Sequence, residues 1–321
     1  MITSFWAGLT ARVSEHAIGL LLSPACGFWA VGVCAWLLTD RTAATVWWDR
    51  AAQLTPVGQL AVLVVVLLLI AASGVLAEQL ARGALLVLQG YWPRTLSPLR
   101  KRLVARQWRR KETWDEQWAA LYTQIAEAAQ DEEDGATAVD PSLLDQLLVY
   151  EQRLTQIPGH RSQVMPTRLG NVLRAGGTRV HDKYGLDAVR CWPPLWLLLP
   201  EETRTEVAGA KTELDLIALW WTWTVLLAVW TALTPWALLL AAVGSLLART
   251  ALIASAVRYA DLVGAVFDIH RDLLYQALGR PRPAAPQDEI IAGRELTAAL
   301  LRGPALAPPP PTDGGHPARP S

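Results

Sequence analysis

An apolar run from Leu214 to Val257 constrains this chain more than any other feature. Inside it only Asp215 and Arg249 carry charge, and Pro235 is the single proline. One bilayer crossing takes about 20 predominantly apolar residues. A run about twice that long reads as two spans that turn at Thr234-Pro235. Two further apolar stretches, Ala17 to Leu38 and Val57 to Ala77, read as two more spans. The sequence therefore predicts an all-α integral membrane protein. Two transmembrane helical hairpins, 17–77 and 214–257, flank a helical cytoplasmic insertion, 78–213. Residues 1–16 lead into the first hairpin, helices fill 258–302, and the Pro- and Gly-rich stretch 303–321 has no composition for a core and is expected to be disordered. Charged residues make up only 18% of the chain, as a large apolar share requires.

Orientation follows from the lysines and arginines that flank the spans. Only Arg41 and Arg50 lie between the first two spans, and the turn at Pro235 has none. Arg82, Arg94 and Arg100 follow the second span, Arg204 and Lys211 precede the third, and Arg258 follows the fourth. The central segment and both termini are thus expected on the cytoplasmic side of a bacterial plasma membrane; the Ala-, Leu- and Arg-rich, Lys-poor composition suggests the bacterial source. The chain holds 16 tryptophans, and those near span ends (Trp47, Trp48, Trp220, Trp221, Trp223, Trp230, Trp236) suit the headgroup level. Ala25, Gly27, Gly32 and Ala35 suit close helix packing in the first span.

Beyond the second span the periodicity is helical. Gly90 and Pro93 end one helix and Ser97-Pro98 opens the next. That helix is basic from Arg100 to Lys111 and acidic afterwards. The basic block can contact anionic lipid headgroups, or form a solvated face paired with the later acids. Asp131–Gly135 reads as a loop, and Asp140-Pro141-Ser142 opens a helix that stops near Pro158-Gly159. The net charge of zero points away from nucleic acid as a partner.

Chemical motifs are sparse. His270-Arg271-Asp272-Leu273 spells the start of a kinase catalytic loop, but Ala277 stands where that loop needs Asn, and no glycine-rich loop accompanies it. His160, His181, Asp182 and Asp187 lack metal-ligand spacing. Cys26, Cys34 and Cys191 are dispersed and define no disulfide framework. No cofactor or metal is implied. Arg249 stands out, because arginine near mid-span is costly. It either faces the bundle, with Glu78 or Asp215 as its acid, or snorkels to the headgroups. The segment Met165–Glu202 is the other candidate. Its run Trp192–Leu199 is too short to span, is bounded by Pro193, Pro194 and Pro200, and reads as an interfacial or re-entrant segment, or a buried hydrophobic strut, in which prolines oppose a regular helix. Arg168, Arg174 and Arg179 before it, with Trp192 and Trp196, form a candidate surface for an anionic ligand or lipid.

Several of these residues carry a resemblance. Pro166-Thr167-Arg168-Leu169-Gly170-Asn171, Tyr184-Gly185-Leu186-Asp187, Trp192-Pro193, Leu199-Pro200, and Phe267-Asp268 with His270-Arg271 resemble a family of uncharacterised four-span membrane proteins from actinobacteria. Pro194 stands where that pattern has Arg. The resemblance implies a shared fold and carries no activity with it. The leading expectation is a non-enzymatic scaffold, sensor or assembly component that binds a protein partner or a second copy. The alternative is an oligomeric channel or transporter of bestrophin-like topology.

Overall fold

The computed structural model describes residues 24–39, 41–133, 140–283 and 285–303, and every regular element among them is helical. In chain order these are α1 (Pro24–Thr39), α2 (Arg41–Ala52), α3 (Pro56–Gln89), α4 (Ser97–Glu133), α5 (Pro141–Leu154), α6 (Arg168–Tyr184), α7 (Ala188–Leu198), α8 (Glu201–Leu226), α9 (Trp236–Ala277) and α10 (Pro286–Arg302). Three helices are long and apolar enough to cross a membrane: α3, α8 with its 3₁₀ extension to Ala232, and α9. The described part of the first expected span, α1, is a 16-residue apolar helix. Its expected start, 17–23, and the segments 1–16 and 304–321 lie outside the described residues. At 1.5 Å per residue the 42 residues of α9 extend about 63 Å, roughly twice the hydrocarbon thickness.

The chain divides into two compact units. The first holds residues 1–92 and 211–255. Its helices show apolar side chains outward: Leu68 is 63% exposed and Leu239 66%. Helices with outward apolar faces of this kind suit a lipid solvent. Small and aromatic residues hold the unit together. Ala25, Gly32 and Ala35 are the buried residues of α1. A Cβ on Gly32 would sit 2.2 Å from the Trp230 ring, so only glycine fits there. Phe28 packs against Trp223 and Trp230, with ring centroids 5.3 Å and 5.2 Å away. The Trp29 indole donates to Ser73 Oγ at 3.1 Å. Around the turn at Pro235, Ser245 Oγ donates to Thr224 Oγ1 at 3.3 Å, and Gly244 sits close to the same threonine.

The second unit holds residues 93–210 and 256–321. Its core gathers Val180, Leu186, Cys191, Leu195, Phe267, Leu274 and Leu296 from α6, α7, the later part of α9, and α10. Helices α4 and α5 form a hairpin in which no described side chain is buried. Half-buried residues recur along both helices at a 3-4 spacing, Lys111, Trp114, Trp118, Leu121 and Ile125 on α4 and Leu143, Leu147, Tyr150 and Leu154 on α5, and this spacing marks the seam between them.

Several expectations are corrected. The stretch between the two apolar segments 17–38 and 57–77 is itself helical, as α2. Helix α4 runs through Glu133, leaving only the end of the expected Asp131–Gly135 loop, which lies outside the described residues. Pro193 and Pro194 sit inside a regular helix. That helix is stabilised by Asp187, whose carboxylate accepts from the Val189 and Arg190 amides, and by burial of Cys191 and Leu195. Trp223 is 5% exposed and Trp230 is half-buried among rings, so these two pack protein rather than headgroups; Gly27 is exposed and packs nothing.

Candidate functional site

Helix α6 begins at Thr167, whose hydroxyl accepts from the Gly170 amide, a side-chain N-cap. Just inside, Asn171 is buried and its Oδ1 accepts from the Met165 amide at 2.7 Å, pinning the chain that enters the helix. The helix ends at Gly185, φ 69°, a left-handed cap that favours glycine. A Cβ on Gly185 would lie 2.1 Å from the Ile290 carbonyl oxygen, and one on Gly293 would lie 1.9 Å from the Tyr184 carbonyl oxygen. At this crossing α6 and α10 therefore touch backbone to backbone.

Around the crossing lies a polar clamp. Tyr184 Oη donates to Asp268 Oδ1 at 2.6 Å, and Lys183 Nζ lies 3.3 Å from Asp268 Oδ2. The Arg271 guanidinium lies over the Tyr184 ring, 4.3 Å from its centroid, and pairs with Glu289. Arg179 pairs with Asp261 at 2.7 Å, and a Cβ on Gly176 would stand 3.1 Å from Ala260, so α6 lies flush on α9. The Asp187 amide donates to Thr297 Oγ1 at 3.1 Å, tying the start of α7 to α10. Burial, with the Asp268 hydrogen bond second, pushes the Tyr184 phenol up to about 12. Burial likewise pushes Tyr275 to about 12 and the Cys191 thiol to about 11. All three therefore stay protonated near neutrality, and a protonated thiol is a poor nucleophile. These residues hold helices together.

The arginines singled out from sequence do not share one surface. Arg168 donates to Gln156 Oε1 at 3.1 Å, Arg179 is tied to Asp261, and Arg174 is exposed. Six residues from Arg168 to Arg174 turn a helix through about 600°, which leaves them well off the same face. Trp192 and Trp196 lie together, with centroids 5.6 Å apart, and Trp192 also meets Phe267 at 6.0 Å. Trp192 lines an apolar notch of about 280 Å³ with Gly176, Gly177, Val189, Tyr259 and Val263. On α7, Leu195 is fully buried while Val189 and Leu197 are 80% and 78% exposed.

The charges expected within the spans also separate. Asp215 pairs with Lys211 one turn away, and Glu78 and Arg249 are both exposed, with no ion pair among the described residues. Glu78, Arg82, Lys211 and Asp215 instead line a cleft of about 570 Å³ between α3 and α8, floored by Ala81, Leu85 and Leu219. Arg82 and Lys211 complete the cleft, although in the sequence each reads only as a flanking charge. Their signal was placement, since each stands one helical turn from an acid. Among the described residues no three of His, Cys, Asp and Glu gather as a metal set. No known protein family, curated protein or solved structure matches the chain.

Proposed function

We propose that this chain is a four-span membrane scaffold or assembly component, built as two transmembrane hairpins, with its helical unit and both termini in the cytoplasm of a bacterium. One observation supports the reading above the others. The α4–α5 hairpin buries none of its described side chains, while the rest of its unit has a core of fully buried residues. Leu148 is 61% exposed on it and Tyr122 55%. A helical hairpin with a half-covered seam is suited to completion by another protein surface. The clamp around Tyr184 and Asp268 fits the same reading as the base that holds the helices in place.

The test is the mass of the complex extracted from membranes in mild detergent. A scaffold runs as a stoichiometric assembly of more than one chain. A wild-type protein that extracts as a lone chain refutes the reading. Phosphatase fusions at Ala51 and Gly135 test the orientation, with activity expected at Ala51 only. The channel reading draws on the charged cleft between α3 and α8. It requires conductance in planar bilayers that Glu78→Gln and Asp215→Asn change.

A further inference from the structure

We infer that α4 is a self-pairing surface, on which a second copy of this chain lies antiparallel, basic half against acidic half. The inference rests on the scaffold reading and names its partner. From Arg100 to Lys111 the helix carries seven cations and no anion; from Glu112 to Glu133 it carries seven anions and no cation. Its first turn holds no acid and its last turn no base. A helix is already positive at its N-terminus and negative at its C-terminus, so cations and anions are favoured at the opposite ends from those found here. The blocks reinforce the helix dipole instead of cancelling it.

Nothing within the described chain cancels them. The hairpin partner α5 brings Asp145 and Glu151 against one cation, Arg153, and so adds acid beside the acidic half. Lys111 with Asp115 is the ion pair inside α4 among the described residues. Arg110 and Arg153 lie over the Trp114 ring. Arg102, Arg109, Glu116 and Glu127 are exposed and make no ion pair among the described residues.

At 100° per residue those four fall on the side of α4 turned away from its seam with α5. Ala105, Ala119, Ala120 and Thr123 share that side, and such small residues let two backbones approach. Turning one copy end for end sets Arg102 opposite Glu127 and Arg109 opposite Glu116 to within about one helical turn. A two-fold axis repeats each pair, as an interface between identical chains requires. A parallel pair would set like charge on like. An anionic membrane would satisfy the basic half alone and leave the acidic half uncompensated.

The test uses the full chain in nanodiscs of neutral phosphatidylcholine, with donor- and acceptor-labelled populations mixed to read pairing by energy transfer. Wild type pairs, and raising salt about tenfold weakens pairing because exposed charges are screened. The double variants Arg102→Glu/Arg109→Glu and Glu116→Lys/Glu127→Lys each lose at least about tenfold in self-affinity, roughly 1.4 kcal/mol. Mixing the two variants restores transfer. Thermal unfolding of each variant checks that it is folded, and a quadruple variant with Gln at all four positions, which introduces no repulsion, is also unpaired. Pairing by either charge-reversed variant, or by the Gln variant, at wild-type strength overturns the proposal, as does failure of the mixture to restore it. If Glu116→Lys/Glu127→Lys pairs normally while Arg102→Glu/Arg109→Glu loses only its binding to vesicles containing phosphatidylglycerol, the basic block serves the membrane and the proposal falls. A wild type that is unpaired in nanodiscs yet extracts in a stoichiometric complex with another protein overturns self-pairing and leaves the scaffold reading standing.

Discussion

Burial raises the phenols of Tyr184 and Tyr275 alike, but their hydroxyls differ in partner, and substitution separates them. Tyr184 is held by the Asp268 carboxylate, whereas the Tyr275 hydroxyl is buried without a partner among the described residues. Removing a donor that serves a carboxylate at a partly exposed site costs about 1 kcal/mol, while removing an unsatisfied buried hydroxyl is neutral or stabilising. Tyr184→Phe is therefore expected to lower the melting temperature of the protein in detergent, and Tyr275→Phe to leave it unchanged or raise it. The pH dependence has a definite sign. Both phenols titrate near 10 when unfolded and near 12 when folded. Their contribution is complete below pH 10 and is lost as pH rises toward 12, because the unfolded chain then releases protons that the folded one retains. Denaturant titrations across that window should show Tyr275→Phe with a shallower alkaline decline than wild type. An equal decline would mean that burial of Tyr275 does not govern the window.

At the scale of elements, the crossing of α6 and α10 is the least tolerant contact. Gly293→Ala drives a methyl into the Tyr184 carbonyl, and overpacking of this kind costs about 1–3 kcal/mol or more. Gly209→Ala is a matched control inside α8, where a Cβ meets nothing within 4 Å; it should stabilise by about 0.5–1 kcal/mol. Equal melting temperatures for the two variants would refute the contact. Much of the element pattern was legible in sequence because its signals are local. Gly90 ends α3 in a left-handed cap, Ser97-Pro98 opens α4, Asp140 caps α5, and Pro235 breaks α8 from α9. The rest depended on tertiary burial. Pro193 and Pro194 argue against α7, yet the core residues Cys191 and Leu195 hold it helical. The clamp was not legible at all, since Tyr184 meets Asp268 across 84 residues and neither announces its partner. Arg249 attracted notice through its apolar surroundings, but hydropathy carries no information about which way a side chain faces.

At the scale of the whole molecule, α10 closes the core of the second unit. Ending the chain after Gly279 removes Ala292, Leu296 and Leu300 from that core, together with Thr297 beside Cys191 and the backbone contacts of Ile290 and Gly293, and uncovers Leu186, Cys191 and Tyr275. Limited proteolysis in detergent should then cut the 180–199 segment much faster than in the full chain. Equal protection would show that the core closes without α10. The same contact sets an order of events during synthesis. Residues 168–199 leave the ribosome well before 286–302, and between them in sequence come the two apolar runs of α8 and α9. The central helices must therefore remain open, with Leu186 and Leu195 uncovered, while those runs are made. Large chains expose apolar surface in such intervals, and that surface aggregates. A chaperone or an already inserted neighbouring chain is thus needed most in the period before α10 arrives, and slow translation between Glu201 and Pro286 would lengthen it.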